Sequence, residues 1–273
     1  MSLVLRILRL GFLSIFLTQY PLLALGEEVR VGGTGSALAT LKRLAHVYHQ
    51  RQQQVDIQIL PNLGSKGAMR GIASNKLDVA VISRQLTEAE AKSGLSAYPF
   101  ARTPLVVVTS KGINNGVIST SKLAEIYRGE QKHWPDGALI RLVLRPLTDG
   151  DSQMLMRHSP LLEEALKLAS SREGLVTGIN DQDAANALER LPDSLGVSTL
   201  SLLLEEKRHL NLVALDGQRA VINGVTNPDY PLQKELFLVV RNQVSSAAKD
   251  FVDFVTSNEA KKLLAREGYV FSK

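Results

Sequence analysis

The stretch "RVGGTGSALATLKRLAHVY", residues 30–48, joins a short strand-like run to an amphipathic helix through a glycine-rich turn. Leu38, Leu41 and Leu44 recur at helical spacing, so the helix is predicted to bury that stripe. Glycine lets the backbone turn with positive φ, and the free amides at a helix N-terminus attract anions. Ser36 is predicted to cap the helix. The turn lacks both nucleotide-binding fingerprints, so its sequence does not identify a ligand. Two alternatives stay open: the turn binds an anion, or it only connects a strand to a helix.

Strand-like and helical segments alternate along the rest of the chain. "VDIQILP" alternates apolar and polar residues as a half-buried strand does, whereas "LDVAVIS" and "PLVVVTS" are typical of strands buried on both faces. Helical segments separate these runs, and "SSAAKDFVDFVTSNEAKKLLAREGY" is predicted to form one long helix that Gly268 stops. The pattern predicts an α/β fold with mostly parallel sheets, organised as one large domain or as two lobes without a flexible linker.

Composition limits the classes of function. Residues 1–26 carry Arg6 and Arg9, no acidic residue and a short apolar run, which predicts a secretory signal peptide cleaved after Gly26, with a retained anchor as the alternative. The chain has no cysteine, which argues against a disulfide-stapled fold and against thiol chemistry. A formal charge of +5 without a dense basic run interleaved with aromatics argues against nucleic acid as a partner.

A second glycine-serine turn and a serine follow neighbouring strands. Gly64-Ser65-Lys66-Gly67 comes after a strand and before a helix, and Ser65 is predicted to cap that helix. Ser83 and Arg84 end a buried strand. The carboxyl ends of parallel strands lie at one edge of a sheet, where these groups would meet. The alternatives are a solvated Lys66 and a serine that only ends its strand, with Thr87 capping the next helix.

Arg145 ends a further strand and precedes the turn "DGDS", residues 149–152. The helix after it is predicted to begin near Ser152 or Gln153. An arginine beside an acidic turn either forms an internal salt bridge or presents a fixed guanidinium to a tetrahedral oxyanion.

The order of these pieces resembles the phosphate-binding proteins of bacterial ABC transporters, in the type 2 periplasmic-binding-protein-like family. The resemblance runs from Val29 to the C-terminus and is most specific in "LAEIYRGEQKHW" and "DAANALERLPDSLGVST". Tyr127 and Trp134 in the first of these segments are expected to pack the scaffold. The resemblance implies a two-lobed fold, with a mostly parallel sheet flanked by helices in each lobe and a ligand cleft between them. Lobe 1 would consist of residues 27–105 and about 225–273, and lobe 2 of residues from about 106 to 224. The strand near Phe237 would bring the chain back from lobe 2 to lobe 1.

The resemblance also implies a set of ligand contacts. Matched position by position, they are Ser36, the amide of Ala37, Ser65, Ser83, Arg145, and the turn residues Gly150, Asp151, Ser152 and Gln153. The last turn departs from the family pattern, because Arg145 stands four residues before Asp149 and Asp151 replaces a serine hydroxyl. An inward Asp151 would accept the proton of monohydrogen phosphate and so favour phosphate over sulfate, whereas an outward Asp151 would have no such effect.

With the predicted signal peptide, the resemblance implies an exported, periplasmic solute-binding protein. It would capture inorganic phosphate or a close oxyanion as a monomer, without metal or cofactor, and deliver it to an ABC transporter permease. The alternative is a phosphate-binding-like sensor or scaffold that is not dedicated to transport. Enzymatic activity is not expected, since no nucleophile elbow is present and the five histidines have no metal-binding spacing beyond the pair His46 and His49.

Overall fold

The computed structural model describes residues 27–112 and 116–271, so the predicted signal peptide lies outside the described residues. The strands are β1 Glu27–Gly33, β2 Val55–Ile59, β3 Val79–Ile82, β4 Leu95–Thr109, β5 Val117–Ile118, β6 Arg141–Leu144, β7 Val176–Thr177, β8 Ser194–Thr199, β9 Asn211–Leu215, β10 Val221–Ile222, β11 Val225–Thr226 and β12 Gln233–Arg241. The helices are α1 Gly35–His49, α2 Gly64–Ala73, α3 Glu88–Lys92, α4 Thr120–Arg128, α5 Gly150–His158, α6 Pro160–Ser170, α7 Asp181–Arg190, α8 Leu200–Glu205, α9 Ser246–Thr256 and α10 Asn258–Leu264.

The strands follow the order β2-β1-β3-β12-β4-β8-β6-β7. β2, β1 and β3 are parallel, and so are β8, β6 and β7 at the other end. The long strand β4 connects the two groups, because residues 95–104 pair with β12 and residues 105–109 pair with β8 and β9. We call lobe 1 the part built on β2, β1, β3 and β12, and lobe 2 the part built on β8, β6 and β7. This architecture confirms the predicted two-lobed α/β fold.

Each lobe has its own apolar interior. The buried cluster of lobe 2 draws on residues 105–232, whereas those of lobe 1 draw on residues 29–101 and 236–269. Tyr127 and Trp134 are buried in lobe 2, which confirms their scaffold role. The apolar clusters thus change from lobe 1 to lobe 2 between residues 101 and 105, and back between residues 232 and 236. The lobe boundaries themselves stay a prediction.

Local patterns explain most elements. The Leu38, Leu41 and Leu44 stripe of α1 is buried as predicted, and all four residues of β3 are buried, as expected for a strand covered on both faces. The single C-terminal helix was a wrong prediction, because Ser257 adopts an extended conformation and its hydroxyl accepts from the Ala260 amide to cap α10. Within residues 27–112 and 116–271, no helix has the length and apolar character of a membrane span.

Candidate functional site

A cavity of about 330 Å³ opens between the lobes where several strands end. Its walls come from the segments that follow β1, β2, β3, β6 and β7, together with one residue of β12. Such a position, at the carboxyl ends of parallel strands, is where open α/β sheets bind ligands. The lining residues are Thr34, Asn62, Leu63, Gly64, Ser65, Lys66, Ser83, Arg145, Pro146, Thr148, Asp149, Gly150, Ile179, Asn180, Asp181 and Lys234.

The turn before α1 differs from its prediction. Thr34, not Ser36, is the N-cap residue, and its side chain makes no capping hydrogen bond. Ser36 lies inside the first helical turn, 2% exposed, with its hydroxyl 3.2 Å from that of Thr34. The Ala37 amide donates to the Thr34 carbonyl at 3.3 Å and its side chain is fully buried. Neither Ser36 nor Ala37 lines the cavity.

The start of α1 instead holds a carboxylate from the opposite lobe. Asp181, the first residue of α7, accepts the Gly35 amide at 2.9 Å. The Thr34 hydroxyl and the Asn62 amide nitrogen lie 3.4 Å from the same carboxylate oxygen. A negative group here is stabilised by the free amides and by the positive end of the helix dipole. Asp181 therefore occupies the helix N-terminus at which the sequence allowed an anionic ligand to bind.

The turn before α2 lines the cavity with polar groups. α2 begins at Gly64, whose amide donates to Asn62 at 2.9 Å, so Ser65 is not the cap that was predicted. The Ser65 hydroxyl accepts the Ser83 amide at 3.0 Å and lies 3.2 Å from the Ser83 hydroxyl. Two hydroxyls are thus held together beside the first turn of α2. Lys66 lines the cavity rim and is exposed.

Arg145 combines the two alternatives that the sequence left open. Its side chain is 4% exposed and donates to Asp149 at 2.7 Å and to the Gly178 carbonyl at 2.8 Å, yet it also lines the cavity. α5 begins at Gly150 with Asp149 as its N-cap, earlier than predicted. A Cβ atom added to Gly150 would lie 3.2 Å from the Ser83 hydroxyl oxygen. The N-terminus of α5 in lobe 2 therefore faces the hydroxyl pair of lobe 1.

The other residues predicted from the last turn point into the protein. The Ser152 hydroxyl donates to the Arg145 carbonyl at 3.1 Å, and the Gln153 side-chain nitrogen Nε2 donates to the Leu147 carbonyl at 2.7 Å. Asp151 points neither into the cavity nor to solvent, because it is 2% exposed and accepts Lys234 Nζ at 2.6 Å. The structure thus brings Ser65, Ser83, Arg145 and Gly150 to the cavity but not Ser36, Ala37, Asp151, Ser152 and Gln153.

Sequence reasoning missed the two residues that dominate the electrostatics, Asp181 and Lys234. Lys234 Nζ lies 3.3 Å from Asp181 as well as 2.6 Å from Asp151, and the Arg145 guanidinium lies 4.0 and 3.9 Å from the same two carboxylates. We call Arg145, Asp149, Asp151, Asp181 and Lys234 the charge cluster. It contains three carboxylates and two cations, so its formal charge is negative.

The two buried aspartates of the charge cluster have opposite pKa shifts. Burial raises the pKa of Asp151, and the neighbouring carboxylates add to that rise against the pull of Lys234. Burial would also raise the pKa of Asp181, but Lys234, Arg145 and the Asn62 hydrogen bond outweigh it and lower this pKa to about 2. The difference follows from the neighbouring charges, since Lys234 and Arg145 together hold Asp181 ionised. Asp151 accepts a hydrogen bond only from Lys234 among the described residues, and the charges of Asp181 and Asp149 repel it. Burial opposes the charge on Lys234, but its carboxylate neighbours raise its pKa, so it stays protonated.

A two-lobed α/β fold with a polar cleft at the strand ends is typical of proteins that bind a small ligand in that cleft. The chain belongs to the PBP superfamily, the periplasmic binding proteins, because the superfamily domain model matches residues 21–259.

Relatives and solved structures agree with this membership. The phosphate-binding protein PstS of Borreliella burgdorferi is 22% identical over 252 residues, which is 89% of each chain. PstS of Bacillus subtilis is 23% identical over 266 residues, covering 90% of this chain and 83% of its own. A candidate phosphate ABC transporter substrate-binding protein of Clostridium perfringens, solved with bound phosphate, superposes with a TM-score of 0.77 at 19% identity, over 90% of this chain and all of that one. At this identity the superposition shows the shared fold.

Proposed function

We propose that this chain is an exported, periplasmic protein that binds inorganic phosphate, or a close tetrahedral oxyanion, and delivers it to an ABC importer. The observation that carries the proposal is the convergence of two helix N-termini, α2 and α5, on one cavity wall with Ser65, Ser83 and Arg145. Each of these groups donates to oxyanions. The names of the PstS relatives support phosphate as the ligand.

The binding step follows from these donors. The anion would lie in the cavity that Ser65 and Ser83 of lobe 1, the Gly150 end of α5 in lobe 2 and the Arg145 guanidinium line together. Hydrogen bonds to a charged partner contribute about 1.5–3 kcal/mol each. After the costs of desolvation and immobilisation, about 8 kcal/mol would correspond to a micromolar dissociation constant. A ligand that bridges both lobes would hold them closed.

Carboxylates on the cavity wall favour a ligand that carries a proton. Asp149 and Asp181 line the cavity, and an ionised carboxylate about 4 Å from an anion opposes each unit of its charge by roughly 4 kcal/mol at an effective dielectric of 20. Monohydrogen phosphate can donate its proton to one of them, whereas sulfate has none to donate. We therefore expect phosphate to bind at least tenfold more tightly than sulfate. The role predicted for Asp151 would pass to Asp149, because both carboxylate oxygens of Asp181 already accept from Gly35 and Lys234.

Isothermal titration of the folded chain with phosphate, sulfate, molybdate and several phosphorylated metabolites tests the proposal. We expect heat of binding with phosphate and weaker binding of sulfate. Absence of binding to every oxyanion would contradict the function, and tighter sulfate binding would contradict the role of the carboxylates.

A sensor or scaffold that does not serve an importer is the second candidate. The charge cluster favours it, because both of its cations, Arg145 and Lys234, already have carboxylate partners. Stimulation of the ATPase of a reconstituted phosphate importer by the phosphate-loaded protein would support delivery, and binding without stimulation would support sensing. We propose no catalytic step for either role and a monomer for both.

A further inference from the structure

The N-terminus of α1 already has an anion bound, and that anion belongs to the chain itself. Asp181 is 8% exposed and reaches across the cleft from α7 to the Gly35 amide. The neighbouring Gln182 strengthens the contact, since its amide nitrogen donates to the Gly35 carbonyl at 3.2 Å and its oxygen accepts from Asn62 at 2.6 Å. Four donor atoms of lobe 1, on Thr34, Gly35, Asn62 and Lys234, therefore surround these two side chains.

Asp181 uses groups that an incoming oxyanion would also need. Its second carboxylate oxygen lies 3.3 Å from Lys234 Nζ and 4.0 Å from the Arg145 guanidinium, and all three side chains line the same cavity. A cation that is paired with a fixed carboxylate attracts a second anion less strongly. Asp181 is also the only carboxylate among the described residues that joins Lys234 directly to the N-terminus of α1.

We propose that Asp181 is an internal anion that occupies the α1 N-terminus and competes with the bound oxyanion for Lys234 and Arg145, and so sets the affinity of the cleft. This inference rests on the proposed function for its ligand. It makes Asp181 a residue that determines affinity, in addition to the donors that hold the ligand. Removing its charge should strengthen binding, whereas a residue that only supports the fold would weaken binding when changed.

The first test compares Asp181→Asn with Asp183→Asn by titration with inorganic phosphate. Asparagine keeps the size of the side chain and an oxygen that accepts the Gly35 amide. Asp183 is the matched control, because it lies on the same helix and, among the described residues, its carboxylate bonds only to Asn180. We expect about tenfold tighter phosphate binding for Asp181→Asn, from the loss of one like charge beside the ligand, and no change for Asp183→Asn. Unchanged or weaker binding by a folded Asp181→Asn would overturn the proposal.

The second test asks whether the α1 N-terminus accepts an external carboxylate once the internal one is gone. We expect formate to raise the melting temperature of Asp181→Ala and to leave that of Asp183→Ala at its value in chloride. Equal effects of formate on both variants would overturn the assignment of the internal anion. Formate rescue together with no phosphate binding by any variant would contradict the proposed function while supporting Asp181 as the internal anion.

Discussion

Arg145 is the side chain on which phosphate binding and local stability both depend. Arg145→Ala would leave Lys234 alone with three carboxylates. We expect phosphate binding to weaken by about 2 kcal/mol or more, roughly 30-fold, because a charged donor is lost. The free energy of unfolding should also fall by about 3 kcal/mol, because buried carboxylates lose their cationic partner.

Titration calorimetry and thermal melting check both expectations for Arg145. Arg141→Ala is the matched control, because Arg141 begins β6, the strand that ends just before Arg145. Its side chain is 38% exposed and does not line the cavity. Arg145→Lys should recover part of the stability but little of the affinity, since lysine lacks the planar fork. Wild-type phosphate affinity in a folded Arg145→Ala would show that the arginine is only structural.

A buried lysine in a strand could have been recognised from the sequence, although it was missed. Leu232, Lys234 and Leu236 alternate with exposed or partly exposed residues, so Lys234 shares the inward face of β12 with two leucines. A lysine at an inward position requires carboxylate partners. No comparable signal marks Asp181, because an acidic residue in the first turn of a helix is explained equally well by the helix dipole.

The strand-to-helix turns are the elements that sequence reasoning predicted best. The glycine-serine turns before α1 and α2 and the arginine turn before α5 all contribute residues to one cavity. They could be predicted because glycines, β-branched strands and helical stripes are local signals. Helix starts were less accurate, since the cap is chosen by tertiary contacts. At α1 the partner of the Gly35 amide comes from a residue 146 positions away, which no local pattern contains.

The N-terminus of α2 is expected to supply part of the binding energy through its serine. Ser65→Ala removes one hydroxyl from the cavity and leaves the Ser83 amide without its acceptor. We expect phosphate binding to weaken by about 1 kcal/mol, or roughly fivefold, and stability to fall by about 1–3 kcal/mol. Titration and chemical denaturation measure the two effects.

Ser74→Ala provides the control for that helix. Ser74 lies at the other end of α2, where its hydroxyl donates to the Arg70 carbonyl at the surface. Both phosphate affinity and stability should stay at wild-type values in this variant. Equal phosphate affinities for Ser65→Ala and Ser74→Ala would remove Ser65 from the set of ligand contacts.

The closed arrangement of the lobes depends on a close approach at Gly35. A Cβ on this residue would overlap Asn62 of lobe 1 and Gln182 of lobe 2, and would lie 2.8 Å from the Asp181 Cβ. Gly35→Ala should therefore oppose closure by about 1–3 kcal/mol, the usual cost of overpacking. The radius of gyration of the ligand-free chain, measured by X-ray scattering, is expected to increase.

Gly112→Ala distinguishes the steric effect at Gly35 from a general effect of alanine. Among the described residues outside its chain neighbours, a Cβ at Gly112 meets no heavy atom within 4 Å. This variant should keep the wild-type radius of gyration. An unchanged radius in Gly35→Ala would mean that the lobes do not move apart to relieve the contact.

Acid should destabilise the folded protein through Asp181. The pKa of this carboxylate falls from 3.8 to about 2 on folding, so the unfolded chain binds its proton more readily. The ionised carboxylate therefore stabilises the folded protein above pH 4 by something on the order of 2 kcal/mol, and this contribution is lost as the pH falls toward 2.

Chemical denaturation of the ligand-free protein measures this effect. The free energy of unfolding of the wild type should fall within that pH window, and Asp181→Asn should lack this share of the fall. Asp183→Asn is the control, because it removes a carboxylate of the same helix that bonds to Asn180 instead of to the α1 N-terminus. The fall should persist in Asp183→Asn, and its full persistence in Asp181→Asn would show that another group is responsible.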